Sequence, residues 1–445
     1  MRGEIWRKIR LVGTVLVAVV ALPSLSSCGE RFDAPCHVVE LRVVLDEHMT
    51  AGRSGPLGLS EGDAGEVIIA WPSTASGMSL VVARSDGMAR ISRTFPAPAA
   101  LRSRSRSSSD RSGANVDVGA TFTGSGMLFH WTETTSTKND DGSITFSAAL
   151  RLQHAGLHGN EGHLVSDPDL ACTDCLLATA FVSTGTTTVA IVHEAPASGA
   201  ATSAATRSRL VSFTPDGRKL ASVDVSVLAD AQDGPLPGPP PGVGGPVPAR
   251  PPVSMALSVR GGFFVARIGA TVAVFDVALA RRASPYALPT SAAVFDVDGS
   301  SGDLDLAWVS VTAIGDDGAP AFVGDAPDLL FERRGPSGAP RISSHRIASA
   351  SGALAVRRNH DRTGVLHAAA GREWFTLVDD SGKKIGGEHP LAARETAAGD
   401  GPGGPGSFAT SAPASTRLLI PGDRTRFAVW SAERRVVREE IVCDP

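Results

Sequence analysis

Five short stretches carry side chains of the kinds that do chemistry. His154, His158 and His163, with Glu161 among them, lie in HAGLHGNEGH. Imidazoles and a carboxylate are ligands for zinc or nickel. Their spacing is that of no helical metal motif, and the glycines make a surface hairpin the expected reading. DVDGSSGDLD, Asp296 to Asp305, has the acidic spacing of a calcium loop. Ser301 stands where such a loop needs glycine and no glutamate closes it, so a turn between two strands is expected. His193-Glu194 and His360-Asp361-Arg362 could supply general acid or base groups. Nothing pairs them with a nucleophile, and the chain has no GxSxG, phosphate-binding loop or dinucleotide fingerprint. Cys172-Thr173-Asp174-Cys175 has the spacing of a dithiol redox centre, but LLATAFVSTG follows it as a strand where a thioredoxin-like centre needs a helix. No catalytic residue, no metal site and no cofactor is therefore expected.

The elements that hold these residues repeat. A β-rich stretch, a turn and a second such stretch recur in VDVGATFTGSGMLFHW, LATAFVSTGTTTVAIVH, SMALSVRGGFFVARIG, VFDVDGSSGDLDLAWV and ALAVRRNHDRTGVLHAAAG. After a variable loop comes a second hairpin, as in SLVVARSDGMARISR, RLVSFTPDGRKLASVDV and WFTLVDDSGKKIGGEH. Their Asp-Gly and Ser-Gly pairs supply the positive φ that tight hairpins need. Aligned on the turn between third and fourth strands, the unit recurs near Asp86, Ala155, Asp216, Leu279, Ser337, Ser381 and Ala432, about 58 residues apart on average. Trp71, Trp131 and Trp308 fall on second strands of the unit, and Trp374 and Trp430 on third strands. The inserts LRSRSRSSSDRSG, QDGPLPGPPPGVGGPVPARPP and AAGDGPGGPG lack apolar periodicity and read as solvated loops.

A unit of four strands repeated at this period resembles the blade of a β-propeller. The resemblance covers residues 36–445 and implies an all-β fold, a single propeller of seven four-stranded blades. HVVELRVVLDE after Cys36 and RVVREEIVC before the C-terminus read as the terminal strands that close the ring. Large aromatics at equivalent positions are then expected to pack between blades. The innermost strands, placed at VGATF, ATAFV, MALSV, VFDVD, ALAVR and FATSA, are poor in His, Asp and Glu.

The N-terminal segment speaks to location. Arg2, Arg7, Lys8 and Arg10 precede an apolar run, Leu11 to Leu22, too short to cross about 30 Å of hydrocarbon. This is the form of a signal peptide. Leu25-Ser26-Ser27-Cys28 then resembles the lipobox of bacterial lipoproteins. The resemblance implies a signal peptide over 1–27, cleavage before Cys28, acylation of that cysteine and a lipidated linker over 28–35. It also implies stable membrane attachment through more than one acyl chain. Gly29 stands where aspartate would signal inner-membrane retention, so the outer membrane is expected, on its periplasmic face or at the cell surface. Without residues 1–27 the formal charge moves from −4 to about −7, giving nucleic acid no reason to bind. Cys36, Cys172, Cys175 and Cys443 remain, an even number in an oxidising compartment with three possible pairings, of which 36–443 with 172–175 is the economical one.

The function expected from all this is a membrane-anchored binding or scaffold module for an envelope protein or glycan ligand. A propeller-fold hydrolase or lyase working at the central channel is the alternative from another class, and a structural envelope protein the third.

Overall fold

In the strand Val67–Ser73, Val67, Ile69 and Trp71 point to one side and Ile68 to the other, and all four are buried. A strand apolar on both faces needs a packed layer on each side. The same holds in sheet after sheet, so the sheets must stack face to face. The computed structural model describes most of residues 36–443. Residues 1–35, 47–56, 97–115, 197–206, 229–252 and 392–416, with shorter stretches, lie outside the described residues. Among those described there are seven four-stranded antiparallel sheets. Their innermost strands are Gly58–Glu61, Val116–Phe122, Cys175–Ser183, Val253–Leu257, Val294–Val297, Gly352–Asn359 and Arg417–Pro421, taken here as the first strands of blades 1 to 7.

Seven clusters of buried apolar side chains fill the seven gaps between neighbouring blades. One of them joins Trp430 and Leu418 of blade 7 to Trp71 and Leu59 of blade 1, which closes the ring. The chain is a seven-bladed β-propeller. Six blades follow chain order, while blade 7 takes the N-terminal strand Cys36–Leu45 as its outer member, paired antiparallel with Val436–Cys443. A small hairpin, Ala313–Ile314 with Pro320–Ala321, is inserted in blade 5.

That closure displaces two expectations. Ala432 ends the second strand of blade 7, not a third, because the blade's fourth strand arrives from the other end of the chain. Trp430 shifts with it and joins Trp71, Trp131 and Trp308 on second strands, all in the clusters between blades. Ala155 belongs to the third strand Ile144–Gly156, ahead of its turn. The stretch FATSA, 408–412, lies outside the described residues, and Arg417–Pro421 forms the inner strand of blade 7.

Close packing makes one glycine indispensable. A Cβ on Gly364, in the second strand of blade 6, would lie 2.7 Å from Phe375 Cε2 and 3.0 Å from Phe427 Cε1. These rings are packed together between blades 6 and 7 with centroids 5.2 Å apart. Gly364→Ala is expected to cost about 1–3 kcal/mol by overpacking. A lower urea midpoint with unchanged slope would register it.

Candidate functional site

Each inner strand ends at the side of the ring where first-to-second-strand turns lie. Glu61 closes the inner strand of blade 1, Asp296 stands near the end of that of blade 5, and Arg357 near the end of that of blade 6. Arg357 Nη2 is 3.5 Å from Glu61 Oε2, and Nη1 is 3.4 Å from Asp296 Oδ1. Blade 7 lies between blades 6 and 1, so the guanidinium reaches across the mouth of the channel. The side chains are little exposed, 8% for Glu61, 1% for Asp296 and 13% for Arg357. Burial pushes the Glu61 carboxyl up to about 7, against the pull of Arg357. It pushes Asp296 up to about 6 against the same pull. One cation between two desolvated carboxylates leaves a proton to be taken up near neutral pH.

A lattice of ion pairs continues outward between blades 5 and 6. Asp305 takes both arms of Arg333 at 2.6 and 3.0 Å and accepts a hydrogen bond from Thr363 at 2.7 Å. Arg333 also meets Asp380 at 2.6 Å. Arg358 spans Asp303 at 3.4 Å and Asp380 at 3.0 Å, while its backbone N–H donates to Asp296 at 3.1 Å. Planar guanidinium forks suit this bridging, because each can serve two carboxylates at once. These charges are occupied with each other.

DVDGSSGDLD therefore does two things in the fold. Asp298 accepts from Ser300 N–H at 3.0 Å and from Ser301 Oγ at 3.0 Å, holding the turn between the first two strands of blade 5. Asp296, Asp303 and Asp305 supply the ion lattice. The inner strands are richer in ionisable groups than expected at just these points. Glu61, in the short strand GLSE, and Arg357 escape notice in the sequence. Only placing all seven first strands in register would have put Glu61, Asp296 and Arg357 at one level.

Of the histidine stretch, His158 and Glu161 lie outside the described residues. His154 is buried at the end of its strand, 3.4 Å from Ser125 Oγ, while His163 is exposed. Among the described residues no three metal-ligating side chains converge. His360 and Asp361 form the tight turn of blade 6, with His360 at φ 58°. Glu194 pairs with Arg209, and His193 Nδ1 lies 2.8 Å from Ser208 Oγ. Cys172 and Cys175 flank Asp174, the single residue between the outer strand of blade 2 and the inner strand of blade 3, and their sulfurs are paired. Cys36 and Cys443 face each other as register partners, also paired. Cys28 lies outside the described residues. A shallow cleft of about 400 Å³ opens on blade 2, lined by Glu133, Thr135, Ser147, Arg151, Cys172 and Thr173 among others.

Three of the buried histidines make the fold sensitive to acid. His130, His193 and His367 sit on second strands, and burial pushes them down to about 3, about 4 and about 4. Neutral in the fold and protonated when unfolded, they contribute stability that is full above about 6.5 and lost as pH falls toward 4. Glu61 and Asp296 act with the opposite sign, since their raised values favour the fold at low pH. We expect the melting temperature of His193→Gln/His367→Gln to fall less than that of the parent between pH 6.5 and 4. An equal fall would mean the imidazoles are not the groups responsible.

No family model matches the chain, and no curated protein matches it in sequence. Solved structures similar to it include BamB from Moraxella catarrhalis, 10% identical over 91% of this chain and 97% of that one, with a TM-score of 0.39. The BP39L lectin from Burkholderia pseudomallei is 12% identical over 76% and 84% of the chains, with a TM-score of 0.35. A protein of unknown function from Bacteroides caccae is 10% identical over 76% and 94%, with a TM-score of 0.31. The propeller assignment rests on the sheet order and the seven interblade clusters themselves.

Proposed function

We propose that this protein is a lipid-anchored binding or scaffold module of the bacterial envelope. The anchor is Cys28 after removal of residues 1–27, the linker is 28–35, and residues 36–445 form the propeller domain, with disulfides 36–443 and 172–175. The observation that carries the binding role is the state of the channel mouth. Arg357 engages both Glu61 and Asp296 there, and outward of them Arg333 and Arg358 engage Asp303, Asp305 and Asp380, so these charges are paired with one another rather than turned to a substrate. Recognition then falls to the rim and loops, where the cleft of blade 2 presents the hydroxyls of Thr135, Ser147 and Thr173 beside the Glu133–Arg151 ion pair to a glycan or peptide. A second reading, a hydrolase or lyase at the channel, rests on Glu61 holding its proton near pH 7, the property of a general acid.

Intact mass of the protein from its native membrane tests the anchor. The expected species begins at Cys28 with acyl chains and gains four hydrogens on reduction. Crosslinking in the same membranes tests the binding role, with discrete envelope adducts expected from parent and Glu61→Gln alike. A soluble protein beginning elsewhere would sink the anchor. Turnover of an envelope polymer abolished by Glu61→Gln would replace the binding role with the enzymatic one.

A further inference from the structure

The outer strand of blade 7 wears its apolar side chains on the wrong side for water. In Cys36–Leu45, Val39, Leu41 and Val43 are 50%, 57% and 48% exposed. Of the charged residues between them, Arg42 donates to Asp86 O at 3.0 Å, and Glu40, itself exposed, pairs with Arg438 at 2.9 Å. An edge strand facing solvent is normally blunted by charge at its exposed positions. Here the exposed row is aliphatic over alternate positions, and the strand is the free edge of its sheet. Such a row marks a contact surface.

The chain itself says what the surface meets. Seven residues lie between Cys28 and Cys36, eight Cα–Cα steps with a covalent reach of no more than about 29 Å at full extension. If Cys28 carries the acyl chains, this strand begins closer along the chain to the bilayer than any other strand of the propeller. We infer that Val39, Leu41 and Val43 rest in the interfacial layer of the anchoring membrane, so that the propeller stands edge-on with the rim of blade 7 down. Both faces of the ring, including the Glu61–Arg357 mouth, then open sideways to partners. The inference rests on the lipid anchor proposed above and adds an orientation to it. The row holds no cation, so the contact is apolar and insensitive to salt.

The test uses the processed, acylated protein with a fluorescent nitrobenzoxadiazole label at Leu41→Cys, and a control label at Leu220→Cys. Leu220 is comparably exposed, at 53%, on the outer strand of blade 3, across the ring. On phosphatidylethanolamine–phosphatidylglycerol vesicles the label at 41 should brighten severalfold, shift to the blue and be quenched by doxyl-labelled lipid, unchanged by added salt. The label at 220 should stay as in water. Val39→Glu/Val43→Glu should abolish the signal at 41 while the protein still floats with the vesicles. A water-like label at 41 on protein that floats would overturn the inference. So would a signal that grows with protein concentration without vesicles, which assigns the row to a second copy, or one that needs an added envelope protein. Failure of the anchor reads separately, as an unacylated Cys28 by mass and no flotation. In that case Cys28→Ala protein held by an N-terminal histidine tag on nickel-chelating vesicles still tests the row.

Discussion

Arg357→Met should destabilise the propeller by about 3–5 kcal/mol at pH 8, the cost of leaving buried carboxylates without their counter-charge. Glu61 and Asp296 would then face each other across the mouth with only the desolvation that already raises both. The pH dependence carries the signature. A carboxyl whose value is raised by folding contributes stability that is full below its unfolded value and lost as pH rises through the folded one. For Glu61 that window runs from 4.5 to about 7, and for Asp296 from 3.8 to about 6. With the arginine gone both windows extend upward, so the loss should be large at pH 8 and shrink by pH 5. Glu61→Gln/Asp296→Asn added to Arg357→Met should recover most of the stability, because neutral groups of the same shape carry no charge to desolvate. The measurement is the urea midpoint of the three proteins at pH 5 and pH 8. A pH-independent change below 1 kcal/mol in Arg357→Met would mean that the guanidinium does not compensate these buried carboxylates.

Cys36→Ala/Cys443→Ala should have the second large effect. The two residues are 407 apart in sequence, are register partners and have Cα atoms 3.9 Å apart. A bridge here ties the first strand to the last and removes nearly the whole domain's loop entropy from the unfolded chain, about 6 kcal/mol by the chain-entropy relation. Measured losses on removing natural disulfides run to about 2–5 kcal/mol, and that is the range expected. Both cysteines are buried in the cluster between blades 6 and 7, so alanine keeps the site apolar. Cys172→Ala/Cys175→Ala opens a loop of only a few residues and should cost about 2 kcal/mol or less on the same relation. Unfolding midpoints with and without reductant decide the order. If the 172–175 pair proved the more costly to lose, ring closure would rest on strand pairing alone.

The parts of this fold that sequence could reveal are those written locally. Alternation with period two, as in HVVELRVVLDE, and glycine turns such as Asp86-Gly87 or Asp216-Gly217 specify strands and hairpins within a few residues. Repetition of that unit, with an N-terminal strand left over, was enough to indicate seven blades and closure by Cys36–Leu45. The same local logic misplaced Ala432 and Trp430, since a blade completed from the far end of the chain leaves no local mark. At the candidate site little was legible. Asp296 and Arg357 stand in readable strands, but their pairing crosses from blade 5 to blade 6, and Glu61 reaches Arg357 over 296 residues. Sequence alone determined most of the strands and how many blades they build, because backbone conformation and side-chain alternation are short-range. Only the tertiary structure decided that a glutamate, an aspartate and an arginine from three blades share one desolvated mouth. Coulombic contacts depend on where the strands end in space, and closing the ring is what brings those ends together.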